Sequence, residues 1–242
     1  MSDGTLVFLA ALMTAVATGL GAAPFLALRS MSPQVVAYAY AVAGGLMLGA
    51  CFGLVAEGTN FGATQTVLGG LMGVAGILVA QRRLKDQQIV FGGADVASAR
   101  QMVLLLGVMT AHSFSEGVAV GVSFGGSDSL ALAITVAIAV HNIPEGLAIS
   151  AVMRSKGQSV AACAAWSIFS SLPQPLMAVP AFFLVDWARP VLPYGLGFAA
   201  GAMAFMVLDE LLPEAYTRGN TAIVALLTSV AIIAMVLFQH SL

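Results

Sequence analysis

Charge is what this chain lacks. Only 8% of its 242 residues are Asp, Glu, Lys or Arg, while 60% are hydrophobic. A soluble domain carries about 25% charged residues, so there is too little polar surface here to coat a water-soluble globule. That excludes a soluble enzyme or binding domain and makes the chain an integral membrane protein. No basic run is present to bind nucleic acid. Cysteine is nearly absent as well: Cys51 and Cys163 both fall in apolar stretches, at no spacing that suggests a disulfide framework or a zinc knuckle. There is no Gly-x-x-x-x-Gly-Lys-Ser/Thr loop to cradle a nucleotide. Histidine is scarce too, with only three in the chain.

Long apolar runs, by contrast, fill the sequence. A bilayer core needs about 20 mostly apolar residues per helix, and eight segments qualify: approximately 4–28, 34–56, 62–80, 101–123, 128–152, 158–185, 191–213 and 220–239. The opening Met1-Ser2-Asp3-Gly4 lacks the positive stretch of a signal peptide, and the apolar run that follows is too long for one. It is expected to be the first membrane helix of a single all-α transmembrane domain over 1–242. Short turn-rich separators, such as Arg29-Ser30-Met31-Ser32-Pro33, divide most segments; the polar stretch 81–100 is the one longer linker.

Basic residues set the expected topology. Arg29, Arg82, Arg83, Lys85, Arg100, Arg154, Lys156 and Arg218 follow the odd-numbered segments, and only Arg189 lies on the other side. Because positive residues stay cytoplasmic, both termini are expected outside. Segments four and five then run antiparallel.

Those two segments carry the chemistry. His112-Ser113-Phe114-Ser115-Glu116-Gly117 and His141-Asn142-Ile143-Pro144-Glu145-Gly146 repeat one pattern, His-x-x-x-Glu-Gly. Residues four apart share a helix face, so each helix presents one imidazole and one carboxylate in the same direction, near mid-membrane. Ionisable groups in lipid are costly and need a partner. A single His–Glu pair is readily explained as helix glue; two matched copies point to a polar site. Imidazole with carboxylate suits divalent Zn, Fe, Mn or Co, and the lack of thiolates argues against Cu(I) or a cluster.

Other polar residues are less specific. Pro144, between the two candidate ligands of its helix, frees the Val140 carbonyl; it either shapes the site or simply kinks the helix. Gln174 lies between Pro173 and Pro175, and faces either a polar interior or its own backbone, since a lipid-facing amide is costly. Asp209 and Glu210, near the expected cytoplasmic end of segment seven, could guide a cation out or be solvated. Small residues such as Gly117 and Gly121 let helices approach closely. His240, at the chain's end, is given no role.

Across essentially its whole length the chain resembles the Zrt/Irt-like (ZIP) family of divalent metal transporters, and within it a bacterial and plastid-type branch of zinc transporters. The resemblance is carried by AHSFSEGVAVGVSF and AIAVHNIPEGLAIS, and by the later SLPQPLMAVPAF and GFAAGAMAFMVLDELLPEA. It implies a transport site at His112, Glu116, His141 and Glu145. It also implies a second, adjacent position at Ser113, Asn142 and Gln174 that shares both glutamates. There Ser113 stands where Asn is common, Asn142 where Asp can occur and Gln174 where Glu is common, so one well-bound ion is expected rather than two. Exit ligands would fall near Asp209 and Glu210. A homodimer, an inner-membrane location and movement of the first, fourth, fifth and sixth helices against the rest are implied too. The His-rich loop of many members is missing, because 81–100 holds no histidine.

The resulting expectation is a secondary transporter moving a divalent cation into the cytoplasm, with Zn2+ first and Fe2+, Mn2+ and Cd2+ compatible with the ligands. No organic cofactor is expected. The rival is an intramembrane metalloenzyme or a metal-sensing membrane protein using the same residues. Against the enzyme, neither the His-Glu-x-x-His protease pattern nor the Glu-x-x-His pattern of di-iron bundles occurs.

Overall fold

The computed structural model describes residues 3–27, 32–85, 96–125 and 128–240, and every regular element among them is helical. The helices are α1 (Asp3–Leu20), α2 (Pro33–Lys85), α3 (Val96–Phe124), α4 (Asp128–Ser155), α5 (Val160–Ser171), α6 (Pro173–Phe183), α7 (Val185–Ala188), α8 (Leu192–Met206), α9 (Leu212–Arg218) and α10 (Thr221–His240). A 3-10 turn, Ala23–Leu26, follows α1, and a π-helical turn, Val207–Leu211, joins α8 to α9. The chain is an all-α polytopic membrane protein: among the described residues six helical stretches are long and apolar enough to cross a bilayer. Large apolar side chains such as Leu71, Met72, Leu176, Leu226 and Leu237 stand exposed on the outside, where lipid rather than water accounts for them. Arg29 and residues 86–95 of the polar linker lie outside the described residues.

The helix ends follow from local sequence. Pro173 opens α6, where its missing N–H costs nothing. Ser159 caps α5 by accepting from the Ala162 N–H at 3.1 Å. Asn220 caps α10 through Oδ1, which accepts from the N–H groups of Ala222 and Ile223.

Two expected spans differ from straight helices. Segments 34–56 and 62–80 both lie on α2, which turns at Gly62, whose backbone is extended rather than helical. Past the turn, Gly58 lies against the Thr66 side chain, although a straight helix would hold residues eight apart at about 12 Å. The two arms of α2 therefore double back on each other. The expected span 158–185 is divided at Leu172 into α5 and α6, because Pro173 and Pro175 cannot donate to the carbonyls of the preceding turn.

Packing sorts the helices into two groups. The arms of α2 pack on α8, α9 and α10, while α1, α3, α4, α5 and α6 pack on one another; the groups meet chiefly where α2 touches α4 and α3 touches α8. Hydroxyls cross both meeting lines: Tyr40 and Ser155 share a 2.8 Å hydrogen bond, and Ser115 donates to the Gly195 carbonyl at 2.9 Å.

Candidate metal site

The glycine that ends each His-x-x-x-Glu-Gly copy is a packing device. A Cβ on Gly117 would strike the backbone of Gln174 on α6, and a Cβ on Gly146 would strike the Thr18 carbonyl of α1. Their absence lets α6 close onto α3 and α1 onto α4 beside the glutamates. Each carboxylate is thereby sealed from lipid by a neighbouring helix.

Inside that seal His112, Glu116 and Glu145 come together, all 2% exposed or less. The His112 Nε2 lies 2.7 Å from Glu145 Oε1 and 3.4 Å from Glu116 Oε1. One donor atom from each of the three falls within 4.8 Å of the others. Two carboxylates buried this deeply need positive charge between them. A divalent cation held by the neutral imidazole and both carboxylates would supply it. His141 lies on the helical backbone of α4, but its side chain is outside the described residues.

A second layer of polar groups holds this cluster. Gln174 Nε2 donates to Glu116 Oε2 at 2.5 Å. Gln174 Oε1 faces the Thr14 hydroxyl at 2.5 Å and the Asn142 Nδ2 at 3.1 Å. Asn142 Nδ2 also donates to the Thr14 carbonyl at 2.7 Å. One turn further along α1, Thr18 and Ser171 share a 2.8 Å hydrogen bond. Gln174 thus faces the polar interior rather than its own backbone. Ser113 Oγ and Asn142 Oδ1 are buried with no hydrogen-bond partner among the described residues, an unusual condition for interior oxygens. They are oxygen donors beside the carboxylates that a cation could satisfy.

Asp209 and Glu210 lie elsewhere. Both sit on the π-helical turn Val207–Leu211, a distortion often found at functional positions. Gln81 Nε2 donates to Asp209 Oδ2 at 2.7 Å and to Glu210 Oε1 at 3.4 Å. With Leu78, Arg82, Arg100 and Leu104 they line a cleft of about 350 Å³. A smaller cleft next to it is lined by Arg100, Lys156, Glu210 and Glu214 among others.

Thr14 and Thr18 escape the sequence reading, which took α1 as a plain apolar span. The available signal is their i, i+4 spacing on an otherwise apolar helix, the same spacing as His112 and Glu116. It is weak, because membrane threonines commonly bond their own helix backbone.

A family model described as ZIP zinc transporter matches residues 89–237. An Arabidopsis thaliana protein named as a candidate zinc transporter is 43% identical over 95% of this chain, which spans 38% of that protein's length. The zinc transporter ZupT of Corynebacterium aurimucosum is 30% identical, with 93% of each chain covered. Human zinc transporter ZIP11 is 34% identical over 51% of this chain and 38% of its own length.

Proposed function

The chain belongs to the ZIP zinc transporter family, and on that premise we propose that it is a secondary transporter carrying a divalent cation, Zn2+ foremost, into the cytoplasm. The ion binds at His112, Glu116, His141 and Glu145. The observation that carries this is the buried convergence of His112, Glu116 and Glu145 from α3 and α4. Such a cluster is costly in a membrane interior unless it serves an ion. The imidazole and carboxylates replace the ion's water shell. They must bind firmly enough to select the ion yet still release it.

One ion at a time is the expected load. The Gln174 N–H engages the Glu116 oxygen that a second cation would need; a donor group repels a cation where a carboxylate would attract it. Ser113 and Asn142 contribute only neutral oxygens to the ion. Asp209 and Glu210 receive it on the exit side.

Eight crossings with both termini outside are part of the proposal. The doubling of α2 at Gly62 supports two crossings on that helix, and α5 with α6 together supply the length of one. The gathering of Arg82, Arg100 and Lys156 around neighbouring clefts supports a single cytoplasmic face. A homodimer in the cell (inner) membrane completes the proposal, and the mass of the protein in detergent checks the pairing.

The direct test is metal uptake by vesicles that contain only the purified protein. Zn2+ entry that disappears in His141→Ala and Glu145→Ala supports transport. Metal binding without flux would turn the assignment towards a sensor, and normal uptake by both variants would overturn the site.

A further inference from the structure

Thr14 belongs to none of the ligand positions, yet it ends the chain of hydrogen bonds that runs through Gln174 to Glu116. We propose that Thr14 is a positioning residue that fixes the Gln174 amide with its N–H toward the metal site, and so sets both the affinity of the site and its preference among ions. The proposal rests on the transport-site assignment above and adds to it a residue from a helix that contributes no ligand.

The orientation follows from counting donors and acceptors. The Thr14 carbonyl can only accept, so the Asn142 atom 2.7 Å away must be its nitrogen. That nitrogen also lies 3.1 Å from one end of the Gln174 amide, which must then be the oxygen. The other end, 2.5 Å from Glu116 Oε2, is therefore the nitrogen. The Thr14 hydroxyl has one proton and two acceptors in reach, Gln174 Oε1 at 2.5 Å and the Ala11 carbonyl at 2.7 Å. Either direction leaves one oxygen facing the hydroxyl without a proton. The Ala11 carbonyl already accepts the backbone bond of α1 from Ala15, so the proton is assigned to Gln174, the shorter contact. Thr14 thus sets the amide twice, through its backbone by way of Asn142 and through its hydroxyl directly. Thr14, Asn142 and Gln174 are all fully buried, so water does not substitute for a lost donor.

The consequence falls on the metal. Groups that orient a ligand are worth about 10–100-fold in metal affinity. With its hydroxyl anchor gone, the amide oxygen is held only by the 3.1 Å contact to Asn142, so the amide orients Glu116 less firmly and can turn its oxygen toward the ion. An added carbonyl oxygen favours an oxygen-seeking ion such as Mn2+ over Zn2+.

The test uses the full-length purified protein and two readouts. Zn2+ and Mn2+ affinities are measured by competition with a chromophoric chelator in detergent, and uptake is measured in vesicles. Thr14→Val is close in shape and exchanges the hydroxyl for a methyl, which can neither donate nor accept. It is expected to raise the Zn2+ dissociation constant and KM about tenfold, with the maximal rate little changed, and to lower the Zn2+/Mn2+ preference. Thr14→Ser should restore both. In a Gln174→Met background Thr14→Val should have no further effect, because the hydroxyl acts through the amide. A purely structural role for Thr14 would lower the amount of folded protein and the maximal rate while leaving affinity and preference alone. Unchanged affinity and preference in Thr14→Val, or a full effect without Gln174, would overturn the proposal. Absence of flux in the wild type would instead count against the transport function, and the binding measurements would still decide the role of Thr14.

Discussion

The His112 Nε2 lies 2.7 Å from Glu145 Oε1, so the imidazole of one His-x-x-x-Glu-Gly copy reaches the carboxylate of the other. It is closer to that carboxylate than to Glu116 in its own copy, at 3.4 Å. His112, Glu116 and Glu145 therefore form one cluster across α3 and α4 rather than separate contacts within each copy. Removing either partner leaves the other buried without its counterpart, a strongly unfavourable state in a membrane interior.

His112→Ala and Glu145→Ala are each expected to weaken Zn2+ binding by at least about a hundredfold, beyond the range seen when only a supporting residue is lost. Chelator competition on the purified variants measures this. Retention of wild-type affinity by either would remove that residue from the site.

On the proposed one-ion load the Gln174 N–H and the Asn142 amide stand where a second cation would need acids, so exchanging them for acids should admit one. Gln174→Glu combined with Asn142→Asp is expected to bind Zn2+ more tightly, with stoichiometry moving from one ion towards two. Without metal the double variant should melt lower, because carboxylates crowd where an N–H met Glu116. Added metal should reverse that loss. Ion counting by elemental analysis and thermal melting with and without Zn2+ give the answer; an unchanged stoichiometry would mean that the amides do not limit occupancy.

Gly146 packs against the Thr18 carbonyl, with no room for a Cβ. Gly146→Ala should cost about 1–3 kcal/mol through forced separation of α1 and α4. Gly107 on α3 faces open space, so Gly107→Ala should be neutral or gain up to about 1 kcal/mol from helix propensity. The comparison of their unfolding in mild detergent isolates the packing effect, since both sites undergo the same substitution.

Asp209 and Glu210 share the Gln81 amide in a cleft apart from the His112 cluster. Asp209→Asn with Glu210→Gln is expected to leave equilibrium Zn2+ affinity at the central site unchanged and to slow uptake several-fold. Parallel binding and flux measurements separate these. A matching loss of central affinity would show that the acids support the site rather than the exit.

Much of this architecture is visible in the sequence because its signals are local. The apolar runs, the Pro173 and Pro175 break and the i, i+4 spacing of His112 with Glu116 all depend on residues within one or two helical turns. The acyl interior imposes the same limit everywhere: a buried carboxylate there must meet a partner, so its presence announces a site before any fold is known.

Partner choice across helices is another matter. Nothing in α1 indicates that Thr14 would meet Gln174, which lies 160 positions away, or that Asn142 would turn its nitrogen to a carbonyl of α1. Nor does spacing reveal that His112 would favour Glu145 over Glu116. The sequence by itself determined the membrane class, the positions of the apolar helices and the residue types able to hold a divalent ion, because hydrophobicity and helical period act over short stretches of chain. Only the tertiary structure decided which amide end faces Glu116 and which helix orients it. Hydrogen-bond direction in a dry interior is set by the nearest donor and acceptor in space, and close packing at Gly117 and Gly146 brings those neighbours from distant helices.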